Sequence, residues 1–442
     1  MSLLQDRLQT EWLDLNQANS EDQKLFSSSK FKRHPVHVVY AGAQLFKQDT
    51  VAKLGRIALA TFDSYSNGPL PFSQGLNLKC STEMAQKIHA KVREKLIQEA
   101  VEDFRIDFED GLGIRSDQEE DQLAKFSATE LGQGFKAGTL PRHCGIRIKP
   151  FSPEFLQRSL QTLDLFLQNL LGTSCGKLPN NFVVTLPKVM NLAQVAYFCK
   201  VLEQLENQHN LSPFSLKCEL MVETPQSLFD REGKLALPQM LALAKGRMVA
   251  AHFGTYDYTA SLDITSLDQT MDHAACDFAK NIMKISLSGS DVLISDGATT
   301  LMPVAKHRGE NLSQRQKDEN RQTVFSAWNL SFKNITHSLR NGIYHGWDLH
   351  PAQLPIRFAA LYAFFLERLE DNSLRLKKFL ENSAKATLHG DIFDDAATGQ
   401  GLLNYFLRGY YCGAFGQEEI LKAGLTLEEL ESRSFTRITP FK

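Results

Sequence analysis

The sequence predicts a (β/α)8 TIM barrel, and three observations carry that expectation. Short apolar runs recur along the chain, helix-like stretches of ordinary length separate them, and each run ends in a polar or charged cluster. Strands alternating with helical segments point to parallel βαβ units. Eight of them point to a closed barrel, in which functional residues gather just past the C-terminal ends of the strands.

Residues 1–33 are polar, with Leu4, Leu8, Trp12 and Leu13 near helical spacing, and read as an N-terminal arm. HVVYAGAQLF (37–46) is the first strand, and KQDTVAKLGRIALATFDSY carries a helical period after it. The Gly-, Pro-, Ser- and Asn-rich stretch 67–79 reads as a loop. A helix then runs into RIDFEDG (105–111), the second strand, and GIRIKP (145–150) is the third. Ser152, Pro153 and Glu154 supply a cap, a first-turn proline and a first-turn acid for the next helix. VVTLPKV (183–189) and ELMVET (219–224) follow, with Thr224 and Pro225 opening another helix. MVAAHFGTYDY (248–258) and VLISDGATTLMPV (292–304) are the sixth and seventh strands; a long polar helix (313–341) leads into GIYHGWDLHP (342–351), the eighth. The expected organisation is an arm (1–33), a barrel (34–353) and a C-terminal extension (354–442), helical throughout and interrupted by the acidic turn DIFDDAAT (391–398).

Composition narrows the function classes. With 442 residues, 43% hydrophobic and 23% charged, the chain has the make-up of a soluble globular protein. A net charge of −2 supplies no pull toward nucleic acid or an anionic membrane. No stretch approaches the ~18 apolar residues of a membrane span, and the N-terminus lacks a signal pattern. Seven scattered cysteines, an odd number, argue against a disulfide framework or a zinc knuckle and suit a reducing cytoplasm.

The strand-end clusters hold the residues that can carry chemistry. Glu223 and Asp257 follow consecutive strands, so their carboxylates should lie side by side on the rim. Two carboxylates completed by substrate oxygens and water suit Mg²⁺; two solvated loop acids would give the same spacing. Asp107 and Glu109 share one strand face and Asp110 sits at the exit, placed to orient metal-bound water or to pair with Arg105 or Arg147. Arg147, pointing into a cleft, suits a developing oxyanion or balances the neighbouring acids. Lys149, further out, is expected in solvent. Lys188 reads as an anion-binding rim charge, since nearby carboxylates would hold it protonated and unfit for a Schiff base. His252, His345 and His350 read as packed or pocket-wall residues.

In order, IDFEDG, IRIKP, LPKV, MVET, FGTYDYTAS and WDLHPAQ (106–353) resemble the motifs of the HpcH/HpaI aldolase family, the citrate lyase beta-subunit and malyl-CoA lyase group. The resemblance implies the same barrel and a Mg²⁺-dependent (Mn²⁺ possible) carbon–carbon lyase acting through an enolate of a chelated α-keto acid. On that basis Glu223 and Asp257 are metal ligands, Glu109 and Asp110 the acidic pair beside the metal and its waters, and Arg147 the partner of the carbonyl or enolate oxygen. The backbone from Gly254 through Thr255 and Tyr256 to Asp257 is the loop for the keto-acid carboxylate. Asp394 to Thr398 is similar to a Glu-Asp-x-Ala-Thr segment of malate synthases, which places a general base on Asp395; a plain helix cap fits the same residues. The family's Asn is replaced by Lys149 and Pro150, and 303–342 has no family counterpart. An acyl-CoA thioester is an expected second substrate and a homo-oligomer the expected assembly. A CoA-independent keto-acid aldolase and a non-catalytic binding or regulatory subunit are the competing readings.

Overall fold

Eight parallel strands close on themselves in sequence order: β1 (His37–Gly42), β2 (Asp103–Asp107), β3 (His143–Arg147), β4 (Phe182–Leu186), β5 (Lys217–Val222), β6 (Met248–Phe253), β7 (Leu293–Ala298) and β8 (His345–Asp348). The computed structural model describes residues 9–26, 33–381, 387–389, 392–394, 396–432 and 438. The expected (β/α)8 barrel is therefore present, with its motifs in the expected order around the ring.

The helices begin where local chemistry stops the preceding chain. α1 (Gln9–Phe26) forms the arm, and α2 (Thr50–Ser66), α3 (Pro69–Gly75) and α4 (Thr82–Glu99) lie between β1 and β2. Ser116 and Glu119 form a reciprocal capping box at the start of α5 (Asp117–Ala137). α6 (Leu156–Thr173) follows β3, and the Asn191 side chain caps α7 (Leu192–Gln208). Thr224 accepts from the Ser227 amide to start α8 (Pro225–Leu228), as its sequence predicted, and α9 (Ala236–Ala244) completes that connection. After β6 come α10 (Thr255–Ser261) and α11 (Ala274–Leu287), and after β7 the 27-residue α12 (Gln314–Arg340), opened by a Ser313–Gln316 capping box.

Several expectations change. Residues 67–79 contain α3, because Phe72 is buried among Phe62 and Trp328 (ring centroids 5.2 and 5.9 Å), and packing overrides the Gly and Pro content. Ser152–Glu154 form a turn in which the Ser152 carbonyl accepts from Phe155 and Leu156, so α6 begins later. The sixth strand stops at Phe253, and Asp257 lies in the first turn of a helix. Within 303–342, α12 is the expected long helix that returns the chain from β7 to β8. α13 (Leu354–Leu366) packs against α2, α4 and α12, and its burial on nearly every face explains its all-round hydrophobicity. α14 (Leu369–Glu381) follows it. Where an acidic turn was expected, β9 (Thr387–His389) and β10 (Ile392–Asp394) pair antiparallel. α15 (Ala396–Tyr411), α16 (Gln417–Lys422) and α17 (Leu427–Ser432) end the chain's described elements. Among the described residues no helix is long and apolar enough to cross a membrane.

The barrel interior is charged at its middle. Arg105 donates to Glu219 through Nε (2.8 Å) and Nη2 (2.7 Å) and also pairs with Asp103. The Tyr40 hydroxyl donates to Glu219 at 3.2 Å and lies 3.0 Å from His252 Nδ1, while the Thr185 hydroxyl donates to the same carboxylate. Burial alone would raise the Glu219 carboxyl; the Arg105 charge and these donors outweigh it and hold the group at about 2. A carboxyl depressed on folding contributes stability above its ordinary value of 4.5 that is lost as pH falls toward about 2. Urea unfolding should therefore show a shallower loss of stability between those pH values in Glu219→Gln than in the unsubstituted protein. At neutral pH the variant should be less stable by roughly 3–5 kcal/mol, because the buried Arg105 keeps only Asp103 to balance its charge. Identical acid slopes would contradict the pairing.

Candidate functional site at the C-terminal ends of the strands

Asp107 ends β2 directly beside Arg147 at the end of β3. Its Oδ1 accepts from Arg147 Nε at 2.7 Å and its Oδ2 from Nη2 at 2.5 Å. The same two oxygens accept the backbone N–H of Glu109 (3.0 Å) and of Gly111 (2.8 Å). Asp107 thus holds the arginine and the loop that follows β2, resolving its expected role in favour of the ion pair. Gly111 is required here, since a Cβ at that position would come within 2.5 Å of Asp107 Oδ2.

Arg147 is fully buried, and its guanidinium carbon lies 5.0 Å from the Tyr40 ring and 5.4 Å from the Trp347 ring. Burial disfavours its charge, but Asp107 and Glu109 more than compensate and raise its pKa. Asp107 fixes the edge formed by Nε and Nη2, and Nη1 comes within 3.0 Å of Glu109 Oε2. That oxygen is buried and makes no hydrogen bond among the described residues.

Lys188, past the end of β4, links the acids that follow three other strands. It adopts a left-handed backbone (φ +48°), which turns its N–H onto Glu223 Oε1 at 2.7 Å. Its ammonium pairs with Glu109 and lies 3.4 Å from Asp110 and 3.6 Å from Asp257. Burial would lower the Lys188 pKa, yet Glu109 and Glu223 raise it well above the ordinary lysine value. The lysine is therefore a protonated member of the acid cluster, and a Schiff-base role does not fit.

The acids differ in charge state. Burial first, then repulsion from Asp257, pushes Glu223 up to about 7. Burial also raises Glu109, with Asp110 adding to it against the pull of Arg147 and Lys188. Asp110 is held below its ordinary value: burial opposes this, but Lys188 and Arg147 prevail. Two buried carboxylates with incompletely balanced charge, beside half-exposed Asp257, form an all-oxygen donor set with no His or Cys. That set fits a hard divalent cation better than zinc. Among the described residues no three His, Cys, Asp or Glu converge as a self-sufficient metal site, so substrate and water would complete any shell.

The remaining expected residues fall around this core. Gly254 closes over Glu223: a Cβ there would meet Glu223 Cβ and Oε2 at 2.5 Å. Its own N–H donates to Val222 at 3.0 Å, so the amides of Thr255, Tyr256 and Asp257 remain as the first-turn donors of α10. The Tyr256 hydroxyl donates to the Ala298 carbonyl at 2.7 Å, and Thr255 packs against Gly297. Lys149 is not in solvent: it is buried, donates to the Phe108 carbonyl at 2.8 Å and pairs with Glu120 at 3.2 Å. Past the end of β3 its side chain turns to the helical layer, where it shares the buried Glu120 carboxylate with Arg158 (3.5 Å) and the Thr162 hydroxyl. His252 is a packed barrel residue as expected. His345 packs on it deep inside (ring centroids 5.5 Å), and His350 caps the turn 351–353, so Trp347 and Tyr40 line Arg147 instead. Both aromatics stand at inward strand positions, where alternation along β1 and β8 marks them. Asp395 lies outside the described residues; α15, which follows it, stacks Arg408 over Tyr344 at the opposite end of the barrel.

A family model described as a domain of unknown function (DUF6986) matches residues 15–438. The chain belongs to that family. No curated protein matches this DUF6986 chain. Among solved structures, a citrate lyase from Burkholderia xenovorans LB400 is 17% identical, covers 90% of this chain and 98% of its own, and superposes with a TM-score of 0.58. The CitE protein of Mycobacterium tuberculosis in complex with magnesium, acetoacetate and coenzyme A is 14% identical, with coverage of 84% and 97% and a TM-score of 0.47. A Haloferax volcanii malate synthase is likewise 14% identical, with coverage of 92% and 99% and a TM-score of 0.46. Of the three, the Burkholderia structure is similar enough to show a common fold.

The contact between Gly254 and Glu223 is testable without a ligand. Gly254→Ala should destabilise the protein by ~1–3 kcal/mol in denaturant unfolding through overpacking. Gly172→Ala, with open space around it, should be neutral or stabilising. Equal stability of the two variants would show that Gly254 does not set the position of Glu223.

Proposed function

We propose that this chain is a Mg²⁺-dependent carbon–carbon lyase or synthase that acts next to the carbonyl of an α-keto acid, with an acyl thioester as second substrate. The observation that carries the reading is the convergence of Glu223, Asp257, Glu109 and Arg147 around Lys188 at the C-terminal ends of the strands. The resemblance of the ordered motifs to the citrate lyase beta-subunit and malyl-CoA lyase group, and the fold shared with the Burkholderia citrate lyase, support it.

Glu223 and Asp257 would hold the ion. When bound, magnesium supplies Lewis-acid polarisation of the substrate carbonyl and a template for its carboxylate. The rest is done by this chain's own groups. Arg147 presents Nη1 to the oxygen on which charge accumulates, and Asp107 keeps the guanidinium from swinging away. Glu109 and Asp110 hold water and protons at the inner wall. The first-turn amides of Thr255 and Tyr256 receive the keto-acid carboxylate. Lys188 offsets the repulsion among the acids and meets the incoming anion at the rim. Asp395, by the malate-synthase-like segment it belongs to, is the proposed base that removes a proton from the donor carbon. Bond formation and bond cleavage pass through the same enolate.

Calorimetry and turnover together test this reading. Glu223→Gln and Asp257→Asn should each abolish measurable Mg²⁺ binding and turnover of malyl-type thioesters while leaving the fold intact. Metal binding that survives both substitutions would refute the ligand assignment. Arg147→Lys should lower turnover by ~100-fold or more, with metal affinity changed by less than about threefold, since a point charge replaces a planar fork. Equal losses in both quantities would contradict the oxyanion role.

A further inference from the structure

A cavity of about 1070 Å³ opens in the helical layer between α2, α4 and the end of α15, beside the N-terminal ends of β2 and β3. The acid cluster lies at the C-terminal ends of the strands, so the proposed function does not use this space. We infer that the cavity is a binding site for a small organic phosphate.

The charges around it are uneven. Glu99 and the adjoining Glu102 are shared by three cations, Arg33, Lys95 and Arg142. Glu94, the other acid of the lining, accepts from Gln98 at 3.0 Å. Arg56 and Lys91 also line the cavity, and neither makes an ion pair with any described residue. Five cations therefore face three carboxylates. The surplus of two matches the charge of a phosphate monoester near neutral pH, which approaches −2.

A buried donor stands beside this surplus. Tyr362, from α13, is only 2% exposed, and its hydroxyl makes no hydrogen bond with any described residue. The Lys91 ammonium lies 5.8 Å from the Tyr362 ring centroid and donates to the Gly413 carbonyl at 3.2 Å, which occupies one of its three N–H groups. Buried polar groups are ordinarily hydrogen-bonded, and a phosphate oxygen accepting from Tyr362 and Lys91 would satisfy both.

Size and walls favour an organic ester over the bare ion. The volume is at the upper end of the range that encloses metabolite-sized molecules. Val51, Leu59, Leu140 and Pro141 give one side of the cavity an apolar lining that inorganic phosphate would leave wet. The inference is independent of the proposed function, because none of these groups belongs to the acid cluster.

Calorimetric titration of the full-length protein with 1-naphthyl phosphate, inorganic phosphate and 1-naphthol tests it. The naphthyl phosphate should bind at least about tenfold more tightly than either of the others. Arg56→Glu should weaken it by about tenfold or more, and because Arg56 is exposed the variant should melt as the unsubstituted protein does. Tyr362→Phe removes a hydroxyl that bonds to no described residue, so the fold should not lose stability, yet binding should weaken by about fivefold or more. Glu223→Gln should bind as the unsubstituted protein does. Absence of binding at millimolar naphthyl phosphate, equal affinity for all three probes, or undiminished binding in both Arg56→Glu and Tyr362→Phe would overturn the inference. So would loss of binding in Glu223→Gln with retention in Arg56→Glu, which would place the anion at the other end of the barrel.

Discussion

The carboxylate of Asp107 is the constraint on which the site depends. Its two oxygens accept from Arg147 Nε and Nη2 and from the amides of Glu109 and Gly111, which matches the roughly four acceptor positions a carboxylate offers. One buried side chain therefore fixes the guanidinium and the loop carrying Glu109 and Asp110. The arrangement tolerates burial because every acceptor is used. Neutralising this acid would leave Arg147 buried beside two aromatic rings with only Glu109 to balance it, the kind of loss that costs several kcal/mol.

Outward from that pair, the acids are graded by burial. Glu223 and Glu109 are enclosed and shifted upward, whereas Asp110 and Asp257 reach solvent. Lys188 spans the gradient, with its amide on the buried acid and its ammonium among the others. Repulsion among the carboxylates is thus balanced by one lysine and one arginine, which leaves the inner acids short of positive charge. A divalent cation would meet that shortfall, and the strained left-handed backbone at Lys188 is the local cost of turning its N–H onto the inner acid.

Much of this was legible in the sequence because barrels place chemistry at strand ends. The eight strands, the order of the clusters, and the meeting of Glu223, Asp257, Glu109 and Arg147 follow from apolar runs and the polar residues that end them. Lys149 shows where period-two reading fails: past the end of β3 the pleat no longer dictates direction, and Glu120 on α5 draws the ammonium into the helical layer. The stretch 67–79 shows composition losing to packing, since Phe72 finds a buried aromatic site. Tyr40, Trp347 and the Arg105–Glu219 layer were illegible for a different reason. Their hydrogen-bond partners lie on strands as much as 212 residues apart, and only the closure of the barrel brings them together.

We propose that the carboxylates around Lys188 form a divalent-cation site. Anomalous diffraction from crystals soaked in Mn²⁺ tests it most directly, because the scattering locates the ion without reference to activity. A single strong peak beside the Glu223 and Asp257 carboxylates is expected, with the Lys188 ammonium displaced from Asp257. No peak at that position, with Lys188 still seated among the acids, would contradict it.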